Sequence, residues 1–231
     1  MRPVEARAED AILGIGPYDA DEDLLSAASR TRTGHVRVSR PRRTMVVLGR
    51  SGDPRRELLF ENCREDGVPI LRRRGGGGAV VLDPGNVLVA VAWPLPGLAG
   101  IRSAFDAITG WIIDALARIG VPGVERRGTS DLALGERKIG GSCIYRRRDL
   151  LYFAGTLLVA PRVELMERYL AHPPREPAYR AGRPHRAFVL ALAEAGLPAD
   201  PGQVRDRLAR LLTPGSLAER LARSGSEEAE P

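Results

Sequence analysis

The stretch AVVLDPGNVLVAVAWPL, residues 79–95, constrains the fold more than any other part of the chain. Two apolar runs flank Asp-Pro-Gly-Asn, four residues that each favour a tight turn. The pattern reads as a strand, a turn and a second strand, and so as a β-hairpin. A strand with one wet face alternates apolar and polar residues; these runs hardly alternate. The hairpin is therefore expected at the centre of a sheet, covered on both faces.

The rest of the chain supplies the cover. Helical patterns are expected over 20–31, 53–67, 101–120 and 162–172, and again near 186–195, 201–212 and 214–223. The second of these has Asp53 as its cap, Pro54 in first place and Gly67 past its end. Gly120 and Pro122 stop the third. Strands are expected at 35–39, 44–49 and 68–73, and several more between 131 and 160, joined by tight turns at LGER and RRRD. Hairpins outnumber βαβ units, so the expected class is α+β, with a mixed, largely antiparallel sheet flanked by helices. The expected organisation is an N-terminal extension (1–19), a main domain (20–190), short C-terminal helices (191–223) and a disordered tail (224–231).

Just before the hairpin comes LRRRGGGG, residues 71–78. Four successive glycines are entropically costly, and are retained where main chain must approach a ligand or turn its amides toward an anion. In an extended segment Arg73 points opposite to Arg72 and Arg74. Arginine beside exposed amides suits a phosphate. A Walker loop is excluded, because Ala-Val-Val follows the glycines where Lys-Ser/Thr would stand. A dinucleotide fingerprint is excluded too: the sixth residue from Gly75 is Val80, and a strand follows. The plainer alternative is a bulged connection between strands.

Lysine and arginine together number 35, yet only one is lysine, Lys138, in GERKIGGS. A guanidinium is a flat fork; an ammonium is a compact point charge that enters a narrow site. A chain that uses arginine elsewhere and keeps one lysine marks Lys138 as a catalytic candidate, against the ordinary reading of a solvated side chain.

Bulk properties narrow the function. The formal net charge of +6 favours an anionic partner. Aromatic residues are only 5%, too few for a stacking platform, so nucleic acid is not the expected partner. No apolar run is long enough to span a membrane. The N-terminus is acidic and lacks a signal-peptide apolar block, so a cytoplasmic location is expected. Cys63 and Cys143 form no CxxC pattern, and the histidines are scattered at 35, 172 and 185, so no structural metal site is expected.

LRRRGGGGAVVLDPGN, then SDLALGERKIGGS, then FAGTLLV resemble, in order and spacing, the lipoate-protein ligase A family of the larger biotin ligase, lipoate ligase and octanoyltransferase group. The resemblance covers about residues 20–190 and lacks the family's large C-terminal accessory domain. It implies a fold like that of biotin ligases and class II aminoacyl-tRNA synthetase cores. It also implies ATP and Mg²⁺ chemistry: lipoate or octanoate forms an acyl-adenylate, and the acyl group passes to a lysine of a carrier protein. That carrier would be an E2 lipoyl domain or a glycine-cleavage H-like protein, with an accessory ligase subunit supplied as a separate chain. By the same resemblance Arg73 contacts the nucleotide, Gly76, Gly77 and Gly78 are the motif glycines, and Gly78, Ala79, Val80 and Val81 line the adenylate and acyl chain. Lys138 bridges the acyl carboxylate and the α-phosphate, and Asp131 takes the acidic position, with Mg²⁺ or ribose as its partner.

The chain departs from the family pattern at Gly75, Ser130, Phe153 and Ala154, where the family has Ser, Asn and two histidines. Two rivals follow. One is a cysteine-dependent octanoyl or lipoyl transferase with Cys143 as nucleophile; the other is a non-catalytic lipoate-binding subunit on the same fold.

Overall fold

The computed structural model describes residues 8–95 and 100–227. The first half runs α1 (Ala8–Ile12), β1 (Gly16–Pro17), α2 (Glu22–Thr31), β2 (His35–Ser39), β3 (Met45–Leu48), α3 (Pro54–Glu57), α4 (Phe60–Glu65), β4 (Ile70–Arg72), β5 (Val80–Leu82) and β6 (Asn86–Pro94). The second half runs α5 (Ile101–Arg118), β7 (Val124–Arg127), β8 (Asp131–Leu134), β9 (Arg137–Arg147), β10 (Leu150–Leu158), α6 (Glu164–Tyr169), α7 (His185–Phe188), α8 (Pro201–Leu211) and α9 (Pro214–Glu227).

Two sheets result. The larger has strand order β2-β6-β10-β9-β8-β7 and is antiparallel throughout. The smaller has order β1-β4-β3-β5; β4 runs parallel to both neighbours, and β5 antiparallel to β3. The class is α+β with a mixed, largely antiparallel strand system, as the sequence indicates.

The expected hairpin does not form. β5 pairs with β3 in the small sheet, while β6 pairs with β2 and β10 in the large one. The turn between them belongs to a neighbouring segment instead. The Asp83 carboxylate accepts from the amides of Gly85 (2.7 Å) and Arg162 (2.8 Å), and the Ala160 amide donates to the Gly85 carbonyl at 2.9 Å. Those bonds anchor the turn beyond the end of β10, so its two arms diverge into different sheets. The burial forecast still holds for β6. Val87, Val89 and Val91 enter the principal core with α5, α8 and α9, while Ala90 and Ala92 pack under α2.

Other boundaries moved because tertiary pairing outweighed helical pattern. The helix expected over 53–67 is split into α3 and α4, since Leu58 bridges to Leu170 and the Leu59 amide donates to the Tyr169 carbonyl at 2.9 Å. The helix near 186–195 is reduced to α7, because Val189 bridges to Lys138 and the Leu190 amide donates to the Lys138 carbonyl at 2.8 Å. Strand β7 lies outside the strands expected from the sequence. Helix α9 continues to Glu227, where a disordered tail was expected from 224; residues 228–231 lie outside the described residues. Leu208 and Leu217 are fully buried, so α8 and α9 belong to the principal core. The expected N-terminal extension contributes α1 and β1, and β1 is an edge strand of the small sheet.

Candidate functional site

Between the two sheets lies a cleft of about 310 Å³. Its floor is a row of small residues on the large sheet. Register places Gly141 beside Thr156 and Leu88, and Cys143 beside Ala154 and Ala90. Ala154 occupies a position where the family has histidine, so the floor is low and aliphatic there. The roof is the segment after the arginines. Of the residues expected at the site, Arg73, Gly77, Gly78, Ala79, Val80, Val81, Asp131 and Lys138 all line this cleft. Gly76 does not; it is an exposed crest of the loop.

Lys138 sits at an irregularity in β9. The register between β8 and β9 shifts at Leu132/Ala133, so that Leu132 faces Gly140 and Ala133 faces Lys138. The extra residue re-aims the side chain, as bulges do. Its ammonium then reaches Asp131 Oδ1 at 2.6 Å. Gly141 makes this possible: a Cβ there would lie 2.9 Å from Lys138 Nζ and 3.4 Å from Asp131 Oδ1. The other carboxylate oxygen, Oδ2, accepts from the Tyr179 hydroxyl at 2.9 Å. Burial, and then the neighbouring Asp131 charge, push the Tyr179 hydroxyl well above its ordinary range, so it stays protonated and donates. Arg127 lies over the Tyr179 ring, 5.6 Å from its centre.

Asp131 was also a candidate magnesium ligand. Both of its oxygens are engaged, and among the described residues no group of three or more His, Cys, Asp or Glu side chains could hold a metal ion. These residues do not form a magnesium cage. An ion there would depend on ligands brought by a nucleotide.

The three arginines before the glycines have separate tasks. Arg73 donates to the carbonyls of Gly76 (2.7 Å), Gly78 (2.9 Å) and Val47 (3.0 Å), and so braces its own loop. Arg74 reaches Glu22 at 2.8 Å, which Arg147 shares at 3.0 Å. Arg72 is buried and paired with Asp10. Across the roof, the buried Glu57 carboxylate accepts from the Ala79 amide at 2.7 Å and from the Asp53 amide at 3.1 Å. Glu57 carries no mark in the sequence, where it reads as an ordinary acid in a helix. Only the break after α3 turns it inward.

The end of the cleft away from Lys138 holds Tyr18, Asp21 and Cys143. Tyr152 donates to Asp21 Oδ2 at 2.5 Å, and burial raises the Asp21 carboxyl above its ordinary range. The Cys143 thiol is raised by burial as well, against the lowering influence of Arg73. A Cβ at position 75 would come 2.5 Å from Cys143 Sγ, so glycine in place of the family's serine makes room for this cysteine. At the other end the Pro/Arg loop brings Arg175, Arg180 and His185 to the wall. Arg180 is buried against the Phe188 ring, 4.9 Å from its centre.

The floor is aliphatic, the roof is bare main chain, and Lys138, Arg175 and Arg180 bring cations to the wall, an arrangement that suits an apolar chain with an anionic head group. The family described as Lipoyl protein ligase A/B catalytic domain matches residues 18–213, and the chain belongs to that family. Lipoate-protein ligase A of Psychrobacter cryohalolentis is 31% identical over 151 residues, which cover 64% of this chain and 42% of that protein. The matched segments span about two fifths of the length of the curated relatives. Among solved structures, a bipartite lipoate protein ligase described with its E2 lipoyl domain, from Thermoplasma acidophilum, superposes with a TM-score of 0.69. It is 21% identical, over 89% of this chain and 80% of that one. A lipoate-protein ligase A bound with ATP gives a TM-score of 0.68 at 20% identity, over 86% and 78% of the two chains. Among the described residues no helix is long and apolar enough to cross a membrane.

Proposed function

We propose that this chain is the catalytic part of an ATP-dependent lipoate-protein ligase, working in the cytoplasm. The acyl chain lies along the floor by Leu88, Ala90 and Ala154, with its carboxylate at Lys138. The nucleotide lies against the glycine roof. One carboxylate oxygen attacks the α-phosphorus, the bond to the β-phosphate oxygen breaks, and pyrophosphate leaves. A lysine amine of a lipoyl domain then attacks the acyl carbon, loses a proton, and displaces AMP to leave an amide.

The observation that carries this reading is the placement of Lys138: the chain's one lysine, inside the cleft, between the floor and the roof. Its ammonium offsets the charge that accumulates as carboxylate and phosphate meet, an effect worth about a hundredfold or more in rate. Asp131, held by Tyr179, fixes the ammonium in place. Arg73 acts on the nucleotide through the loop it braces. The described residues supply no metal cage, so Mg²⁺ belongs to the nucleotide in this scheme. The bipartite relative supports a second, accessory chain for the transfer step, with an E2-type lipoyl domain as acceptor. A Cys143 nucleophile is disfavoured, because burial raises the thiol and suppresses the thiolate.

The test is lipoate-dependent exchange of pyrophosphate into ATP. Lys138→Arg should fold normally and lose exchange by roughly a hundredfold. Exchange at the wild-type rate in that variant would remove the assignment.

A further inference from the structure

The family match begins at residue 18, yet a buried side chain ahead of it is wired to the roof of the cleft. Asp10, on α1, pairs with Arg72 through two bonds, Nε to Oδ2 at 2.6 Å and Nη2 to Oδ1 at 2.7 Å. Both side chains are about 5% exposed. The remaining guanidinium nitrogen, Nη1, donates to two carbonyls at once, Gly49 and Gly52, each at 2.9 Å. Those two glycines flank the turn that backs the tetraglycine loop. The Arg50 amide donates to the Gly75 carbonyl at 2.8 Å. Gly49 lies so close to the Gly77 carbonyl that a Cβ would run into it. Gly52 abuts the carboxylate of Glu57, whose other oxygen holds the Ala79 amide at 2.7 Å.

From this chain of contacts we infer that Asp10 is a positioning residue for the glycine loop: through Arg72 and the 49–52 turn it holds the loop in its ligand-ready shape. The loop's own braces, Arg73 and Glu57, act on residues 76–79. Glu57 also takes the Asp53 amide at the end of the turn beneath, but the carbonyls of Gly49 and Gly52 within that turn are tied by the Arg72 side chain. That turn is held by Arg72, and a guanidinium aimed at two carbonyls stays in one orientation only if its other edge is clamped. A bidentate carboxylate supplies the clamp. Helix α1 therefore shapes the glycine loop from outside the cleft, and it lies ahead of the family's matched span.

The kinetic consequence rests on the ligase reading and has a specific form. If the loop is ready in only a fraction of molecules, apparent affinity falls by that fraction, while a molecule that has bound substrate reacts as before. Loss of the clamp should raise KM and spare kcat. A merely structural role does the reverse: fewer folded molecules lower the apparent kcat at constant KM.

The experiment uses the full chain as wild type, as Asp10→Asn, and as the double variant Asp10→Leu/Arg72→Met, which removes both charges and leaves none buried alone. Two readouts are taken: lipoate-dependent ATP–pyrophosphate exchange, and amide hydrogen exchange of residues 75–79. The expected result is a KM for ATP raised about tenfold or more with kcat held, together with faster exchange at Ala79 in both variants. Unchanged KM with wild-type loop protection overturns the inference, as does a fall in kcat alone. Should wild type catalyse no pyrophosphate exchange, the ligase reading fails by itself. The Ala79 amide then still decides the clamp: wild-type protection in the folded double variant refutes it.

Discussion

Gly140 and Gly141 are neighbours in β9, and adding one methyl to each should produce opposite failures. At Gly140 the new Cβ would meet the Thr156 carbonyl oxygen at 2.6 Å and Leu157 Cδ2 at 3.3 Å. The first of these is main chain of the paired strand and cannot turn aside. Overpacking of this kind costs about 1–3 kcal/mol. For a chain of this size each kcal/mol lowers Tm by roughly 2–4 °C. At Gly141 the Cβ would meet the tip of Lys138, with Nζ at 2.9 Å and Cε at 3.0 Å. That tip can swing away. The Lys138 side chain is 28% exposed, and Asp131, 11% exposed, keeps the Tyr179 hydroxyl, so loosening the pair costs about 1 kcal/mol. Neither glycine has a positive φ, so the Gly→Ala change itself stabilises by about 0.4–1 kcal/mol through the unfolded chain. The two terms nearly cancel at Gly141, and Tm should move little. Activity should not survive, because a displacement of about 1 Å in a catalytic group costs around a hundredfold. Thermal melts and pyrophosphate exchange on Gly140→Ala and Gly141→Ala separate the outcomes. Near-normal exchange in Gly141→Ala would mean that Lys138 does not act from this position. A loss of stability there as large as at Gly140 would refute the packing argument.

Two further outcomes follow from buried titratable groups. The Cys143 thiol, raised by burial, should react with iodoacetamide at pH 8 more slowly in the folded protein than in urea; equal rates would reopen the cysteine-nucleophile reading. His185 is lowered below its ordinary 6.5 by burial and by the Arg180 charge, with Glu167 opposing. A depressed folded value means that the unfolded chain binds the extra proton, so stability should fall as pH drops through about 6.5 and stay level above it. Urea midpoints at pH 7.5 and 5.5 should show a smaller acid-side loss for His185→Gln than for wild type; an equal loss assigns the sensitivity elsewhere.

Much of this arrangement is readable from the linear chain. The apolar run 87–93 announced a central strand, and β6 is one. The lone lysine and the tetraglycine run, 60 residues apart, stand out in the sequence as candidates, and Lys138, Gly77 and Gly78 line one cleft. What stayed hidden depended on partners distant in sequence. The DPGN turn looks like a hairpin turn; its bonds to Ala160 and Arg162 send its arms to different sheets. Glu57 looks like a solvated helix residue until the Leu58–Leu170 bridge ends the helix beneath it. Asp10 sits in a short acidic helix with no local mark of its contact 62 residues away. Propensity and periodicity report local preference, and each of these residues takes its role from a long-range bond.

The use of arginine and lysine in this cleft follows from donor arithmetic. A guanidinium carries five N–H donors in a fixed fork and can be satisfied only by acceptors spread around its plane. Arg72 and Arg73 are satisfied in that way, by a carboxylate and two carbonyls in one case and by three carbonyls in the other. Their charges act as internal ties for the roof. An ammonium has three donors on one atom and can exchange one partner for another by a small rotation. Lys138 engages Asp131 with its tip in the cleft, leaving donors to turn toward an incoming oxygen while the carboxylate holds the nitrogen in place. An arginine at that position would have to fit its fork between Asp131 and Gly141, where even one added methyl makes contact. The glycine that admits the ammonium therefore leaves no room for a guanidinium fork to take the same place beside Asp131.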